Sequence, residues 1–387
     1  MLKYHIEDIL HRIVICIRGS IDNMETKKYK LSEVSLNVTD GEHGTVKDDN
    51  NGNYFLLSCK NIKNGLINIT SNERKINEES FYKIQKRIKL EKNDVLITTV
   101  GTIGEMAIIE DENINYCFQR SVGIIKPNKE FVNPYFLYYS LRNELGQIAT
   151  LIKGAVQKCL FINDMKMIEV SLPDLKTQNK IVKALQNIDK KIKLNNEINN
   201  NLYKLIKNNY ESLINGCNWE EVELGAISNI TSGKRPVDKS ETGEYPVIGA
   251  NGIMAYASDY NFNEDLIITG RVGTLGVVKR YLGKIWASDN TLVIQTKYLN
   301  YIENYLKTID YYSLNRGSTQ PLLTQGDLKK QIIYFNGESV TKFEKDNQIF
   351  VDKIRNNEKE NSKLIQLRDT LLPKLMNGEI DLDNIKI

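Results

Sequence analysis

The sequence predicts an α+β fold built from one plan used twice: two similar globular α/β domains, each leading into a long helix, with the two helices packed as a coiled coil. Three observations carry this. The run Gln178–Ile214 reads as one polar helix whose four-three stepping visits Ile181, Leu185, Ile188, Ile192, Asn195, Asn199, Leu202, Ile206, Asn209 and Leu213. That stripe is too narrow for a globular core and fits a coiled-coil seam. At about 1.5 Å per residue the helix would be on the order of 55 Å long, more than one turn of duplex DNA.

The second observation supplies the partner. A constant shift along the chain gives Phe350, Ile354, Asn357, Asn361, Leu364, Arg368, Leu371 and Leu375, and the closing Asn215-Gly216 recurs as Asn377-Gly378. Asn347–Met376 is therefore a copy of the first helix. Both copies hold asparagine at the same two consecutive seam positions, a device that costs stability and fixes register when it meets another polar group. Asn196, Asn200 and Asn201 fall off the seam.

The third is the pair of segments Asp94–Gly104 and Asp265–Gly276. Each reads as a buried strand entering a Gly-Thr-x-Gly turn, then a second strand, Ala107–Ile109 or Val277–Val278. Around them the plan continues in order. Lys30–Val34 with Asp40-Gly41 matches Glu223–Ile227 with Ser232-Gly233, and Gln119 and Asn290 occupy matching places. Asn133-Pro134 opens a helix by capping, with Tyr298–Tyr312 as its counterpart. Gly154-Ala155-Val156-Gln157 and Gly317-Ser318-Thr319-Gln320 then turn, each leading towards an aspartate, Asp164 or Asp327. A strand closes each half, Met167–Leu172 and Gln331–Phe335. Residues 1–29 have no internal copy; a helix is expected over Ile6–Ile17. The expected division is 1–29, 30–173, 174–216, 217–337 and 338–387.

Composition narrows the classes. The chain has 387 residues, 41% hydrophobic and 26% charged, an ordinary balance for two or three globular domains. Ile13–Ile17 is too short for a secretory core and follows His11-Arg12, so a cytoplasmic protein is expected. Cys16, Cys59, Cys117, Cys159 and Cys217 form no Cys-x-x-Cys pair, which suggests neither a disulfide framework nor zinc. With only His5, His11 and His43, multi-histidine metal sites are excluded. The net charge of +3 is too small to demonstrate a nucleic-acid partner, although Lys83, Lys86, Arg87 and Lys89 cluster locally.

Catalytic patterns are poor. Gly101-Thr102-Ile103-Gly104 lacks the Gly-Lys-Ser/Thr ending of a phosphate loop. Asn133-Pro134-Tyr135-Phe136 only superficially resembles an adenine methyltransferase loop and reads as a helix cap. Pro173-Asp174 with Asp189-Lys190-Lys191 has the outline of a nuclease magnesium site, but Asp189 falls inside the long helix. No catalytic set recurs in both halves, so no catalytic and no metal residue is assigned.

Residues suited to phosphates and base edges do recur on equivalent loops. They are Lys60, Thr99, Thr102, Arg120, Lys153 and Gln157 in the first half, and Lys234, Arg235, Arg271, Thr274, Arg316, Thr319 and Gln320 in the second. A DNA-binding scaffold, a catalytic nuclease or methyltransferase, and a coiled-coil adaptor without DNA binding all stay open on the residues alone.

The duplicated order resembles the specificity subunit of Type I restriction-modification systems from about residue 30 onward. The resemblance rests on Leu172-Pro173-Asp174-Leu175 with Gln178-Asn179-Lys180-Ile181, on the ending Leu367–Ile380, and on the two Gly-Thr-x-Gly blocks, which look like the family's target-recognition domains. It implies two such domains related by a pseudo-twofold axis, each reading half of a bipartite DNA target, and an antiparallel helix pair fixing the unread gap. It further implies a subunit without catalytic activity and without a cofactor of its own. Its partners would be two methyltransferase subunits using S-adenosylmethionine on adenine and, in a full complex, ATP- and Mg-dependent restriction subunits. Two departures are the uncopied residues 1–29 and Phe335-Asn336-Gly337, which replaces Leu-Pro at the second helix entrance.

Overall fold

The computed structural model describes residues 24–70, 72–154, 157–216, 218–240 and 243–380. The helix expected over residues 6–17 lies outside them. The chain divides into two compact units, Met1–Ile192 with Ser362–Ile387, and Lys193–Asn361. Both boundaries fall inside long helices rather than at the expected domain ends, because the two ends of each helix pack into different cores. Ile181, Leu185, Leu371 and Leu375 join the core of the first unit. Ile206, Tyr210, Val351 and Ile354 join that of the second.

In the first unit, Lys27–Lys30 pairs antiparallel with Glu169–Leu172. The central four-stranded sheet runs Ser35–Asp40, Val122–Pro127, Val95–Thr98, Met106–Ile108, every neighbour antiparallel. Val95–Thr98 is buried at every position because both faces are covered, which is what a continuous apolar strand requires. Val95 and Ile97 face the core that holds the helix Pro134–Asn143. Leu96, pointing the other way, joins the core under the helix Glu78–Ile88. Beside it, Tyr54–Leu57 runs parallel to Tyr116–Phe118.

The second unit repeats this. Glu220–Glu223 pairs with Ile332–Phe335, and the sheet runs Asn229–Ser232, Thr291–Gln295, Leu266–Gly270, Lys279–Tyr281 in the same order and directions. Tyr245–Gly249 runs parallel to Lys284–Ala287, as the corresponding pair does in the first unit. Two expected boundaries move here. The strand after the second glycine turn is Lys279–Tyr281, not Val277–Val278. The helix expected to reach Tyr312 is Leu299–Leu306. Past it, the Asp310 carboxylate accepts from the Tyr312 and Ser313 amides at 3.0 and 3.4 Å, a local turn that competes with continued helix.

The long helices are Leu175–Ile214 and Gly337–Met376, 40 residues each. Asp174 caps the first, accepting from the Lys176 and Thr177 amides at 2.9 and 3.1 Å. The second begins well before Asn347, because Asn336 takes the Ser339 amide at 3.0 Å. The unusual Phe335-Asn336-Gly337 entrance is thus a cap of another kind. Among the described residues, no helix is long and apolar enough to cross a membrane.

Candidate nucleic-acid interface

At one end of the first unit's sheet, five loops are tied together by backbone bonds. The Thr99 amide donates to Ser121 at 3.0 Å, and the Leu160 amide to Thr99 at 2.9 Å. Gly41 donates to Val122 at 3.0 Å, Arg120 to Glu42 at 3.0 Å, and the Cys59 amide to the Ser121 hydroxyl at 3.0 Å. Lys153 and Cys159 exchange both backbone bonds, at 3.0 and 2.8 Å. Gly41 must be glycine for this packing, since a Cβ there would lie 2.2 Å from the Gln119 carbonyl oxygen.

Four of these ties recur in the second unit. Arg271 donates to Asn290 at 2.8 Å, Leu323 to Arg271 at 2.8 Å, Gly233 to Thr291 at 3.1 Å and Arg316 to Leu322 at 2.9 Å. A Cβ on Gly233 would sit 2.1 Å from the Ser288 carbonyl oxygen. Bond for bond, Thr99 corresponds to Arg271, Lys153 to Arg316 and Ser121 to Asn290. The expected match of Gln119 with Asn290 is therefore two residues out of step. Side-chain similarity suggested it; the sheet ladder, which fixes register, overrides it.

The candidate contact residues separate by exposure. Thr102, Arg120, Gln157, Lys234, Arg235, Thr274, Thr319 and Gln320 are exposed on these loops. Thr99 is turned inward, 2% exposed, its hydroxyl donating to the Arg120 carbonyl at 3.2 Å, so it braces the turn rather than presenting a contact. Arg271 is half-buried and donates to the Asp289 carbonyl at 3.1 Å. Lys60 is exposed and paired with Glu73 at 3.0 Å. Lys153 and Arg316 are also exposed but clasped: Lys153 meets Asp164 at 2.7 Å, and Arg316 meets Asp327 through two nitrogens at 3.2 and 2.8 Å. The Arg316 guanidinium and the Thr324 hydroxyl hold the Asp327 carboxyl down at about 2. The sequence showed both aspartates recurring; that each bonds its cation is visible only in the fold. Of the local basic cluster, Arg87 is spent on the Gly41 carbonyl at 2.8 Å and Lys89 on Glu91 at 2.7 Å.

The helices pair antiparallel within each unit. In the second, Asn195 donates to Asn361 at 2.8 Å, Asn357 to Asn199 at 2.7 Å and Asn209 to Asn347 at 2.9 Å, so numbers rise on one helix as they fall on the other. Asn196, read from sequence as off the seam, accepts from Asn361 at 2.8 Å. Leu185, Ile354, Leu364 and Leu371 are buried, whereas Ile188, Ile192, Leu202 and Phe350 are half-buried; Val351, beside Phe350, takes the buried place. In the first unit, Asp189 accepts from the Tyr139 hydroxyl at 2.6 Å and from Arg368 at 2.9 Å, while Asp174 caps its helix. Both carboxylates of the nuclease-like pattern are consumed by structure. Among the described residues no group of three or more His, Cys, Asp or Glu is placed to hold a metal ion.

A sequence profile described as Type I restriction modification DNA specificity domain matches residues 26–204 and again 217–365. The chain belongs to that family. It carries the specificity domain twice, each copy taking in one sheet and its loop cluster. The chain is 24% identical, over 88% of its length and 90% of the relative's, to the Type I restriction enzyme MjaIX specificity subunit of Methanocaldococcus jannaschii. It is 31% identical to the EcoBI specificity subunit of Escherichia coli over 38% of this chain and 31% of that protein. That match, like the one to the HindI specificity subunit of Haemophilus influenzae, spans about a third of the relative's length, 31% and 37%. In fold it is similar to the crystal structure of the S subunit of a Type I restriction-modification system from M. genitalium, with a TM-score of 0.56 at 18% identity over 93% of this chain and 98% of that one.

The asparagines of the specificity chain's seam yield a prediction. The Asn195 and Asn357 Oδ1 atoms are buried without a partner among the described residues, a cost of about 1–3 kcal/mol each. Replacing Asn195, Asn199, Asn357 and Asn361 together by leucine is expected to raise the melting temperature while blurring helix register. A variant whose register is unchanged would show that the apolar seam alone sets it.

Proposed function

We propose that this chain is the DNA-reading subunit of a Type I restriction-modification complex. Each loop cluster reads one half of a bipartite duplex target, and the helix pair sets the length of the unread gap between the halves. The observation that carries this is the duplication of the loop cluster: four loops, tied by equivalent backbone bonds, present polar side chains in both units. Exposed Arg120, Lys234 and Arg235 are suited to phosphates, and Thr102, Gln157, Thr274, Thr319 and Gln320 to base edges.

The chain itself holds no reacting group in this reading. It acts in the cytoplasm and recruits two methyltransferase subunits, which bring S-adenosylmethionine and methylate adenine; where restriction subunits join, they bring ATP and Mg. The names of the relatives, all specificity subunits, support the division of labour.

The test is an exchange. Replacing residues 217–337 with the matching region of a chain of different specificity, in the assembled complex, is expected to change one half of the mapped methylation site and leave the other. Binding is expected to weaken steeply with salt, because phosphate contacts release counterions. A site unchanged by the exchange, or turnover by the isolated chain, overturns the proposal.

A further inference from the structure

The duplicated turns ending in Gln157 and Gln320 have a construction that specifies more than general DNA contact. Gly154 and Gly317 face the carbonyls of these glutamines so closely that a Cβ would lie 2.2 and 1.8 Å from the oxygens. Each turn is closed by a cation clasped to an aspartate, Lys153 to Asp164 at 2.7 Å and Arg316 to Asp327 at 2.8 Å. In the second unit the turn backbone and the clasp are therefore held together, and in both units the glutamine side chain is left exposed. Neither glutamine amide has a hydrogen-bond partner among the described residues.

We infer that Gln157 and Gln320 are equivalent base-reading residues, each recognising an adenine edge in its own half of the target, while the Lys153–Asp164 and Arg316–Asp327 pairs position the turns. This rests on the DNA-reading function proposed above. The choice of glutamine over the cations follows from occupancy. Arg316 spends two of its nitrogens on Asp327, so its planar fork is already matched to a carboxylate. The choice of base follows from the amide. It offers one donor and one acceptor side by side, complementary to the N7 acceptor and N6 donor of adenine in the major groove. Guanine presents two acceptors there and cytosine a single donor, so neither satisfies both ends.

Recurrence within the chain extends the argument. Lysine in one turn is arginine in the other, and Lys158 is replaced by Pro321, yet glutamine stands at both equivalent positions. The two units differ elsewhere, as readers of different sequences must. A residue kept in both reads what both half-sites share. In the second unit the Gln320 amide nitrogen also lies beside the glycine turn, 3.5 Å from where a Gly273 Cβ would be, so both turns belong to one surface.

The test uses the full chain produced with its methyltransferase partner and a pool of randomised duplexes, with sequencing of the bound fraction. Wild type is expected to enrich a two-part site with an adenine in each part. Gln320→Ala is expected to lose about tenfold of the discrimination at one adenine, in one part only, and Gln157→Ala the same in the other part. Gln320→Glu is expected to move that preference towards cytosine, whose N4 donates to a carboxylate. Profiles unchanged in all three variants overturn the assignment and make the turn structural. A uniform loss of affinity on every sequence, with a shallower salt dependence, overturns it in favour of phosphate contact. A wild-type complex that enriches no site overturns the DNA-reading function itself, an outcome distinct from either.

Discussion

Replacing Asp189 with alanine is expected to lower the stability of the first unit by on the order of 3 kcal/mol. Arg368 lies opposite with a side chain 11% exposed. Burial alone would push its guanidinium down; Asp189 and Asp369 together hold it up. Alanine leaves that cation with Asp369 alone, and leaves the Tyr139 hydroxyl, whose residue is 1% exposed, without its acceptor. Asp189→Asn keeps an acceptor for Tyr139 and is expected to lose less. Urea unfolding reads both, as a lowered midpoint at unchanged slope. A loss below about 1 kcal/mol would place the pair among surface ion pairs of little consequence.

On the proposed function, inserting seven residues into only the second long helix is expected to abolish assembly with the methyltransferase partner and, with it, methylation. A heptad keeps each side chain on its face but displaces everything beyond it by about 10.5 Å. The asparagine pairs of the second unit and the Asp189–Arg368 pair of the first cannot then both form, because the same two helices carry both sets. Inserting a heptad at the matching level of both helices is expected to restore assembly and lengthen the unread gap, as read by mapping methylated adenines. Normal methylation of the original site by the single-insertion chain would remove the helix pair as the spacer.

Much of this architecture was legible in the sequence because it rests on periodicity. The four-three spacing from Ile181 and its copy from Phe350 required two long helices. The buried runs Val95–Thr98 and Leu266–Gly270, each ending in glycine turns, marked the central strand of both sheets. Local signals also sufficed for the Asn133 cap, which takes the Tyr135 amide at 2.9 Å.

What only the tertiary structure decided concerns partners distant in the chain. Sequence placed asparagines on both helices, but the hydrogen bonds show which meets which, and they bring in Asn196. Sequence offered Thr99 beside Thr102 as alike; the fold buries one and exposes the other. Lys153 and Arg316 looked like free cations until Asp164 and Asp327 were seen to hold them. The physical reason is the same throughout. Periodicity is a property of neighbours along the chain, whereas burial and the pairing of charge depend on which loops the sheet ladder brings together.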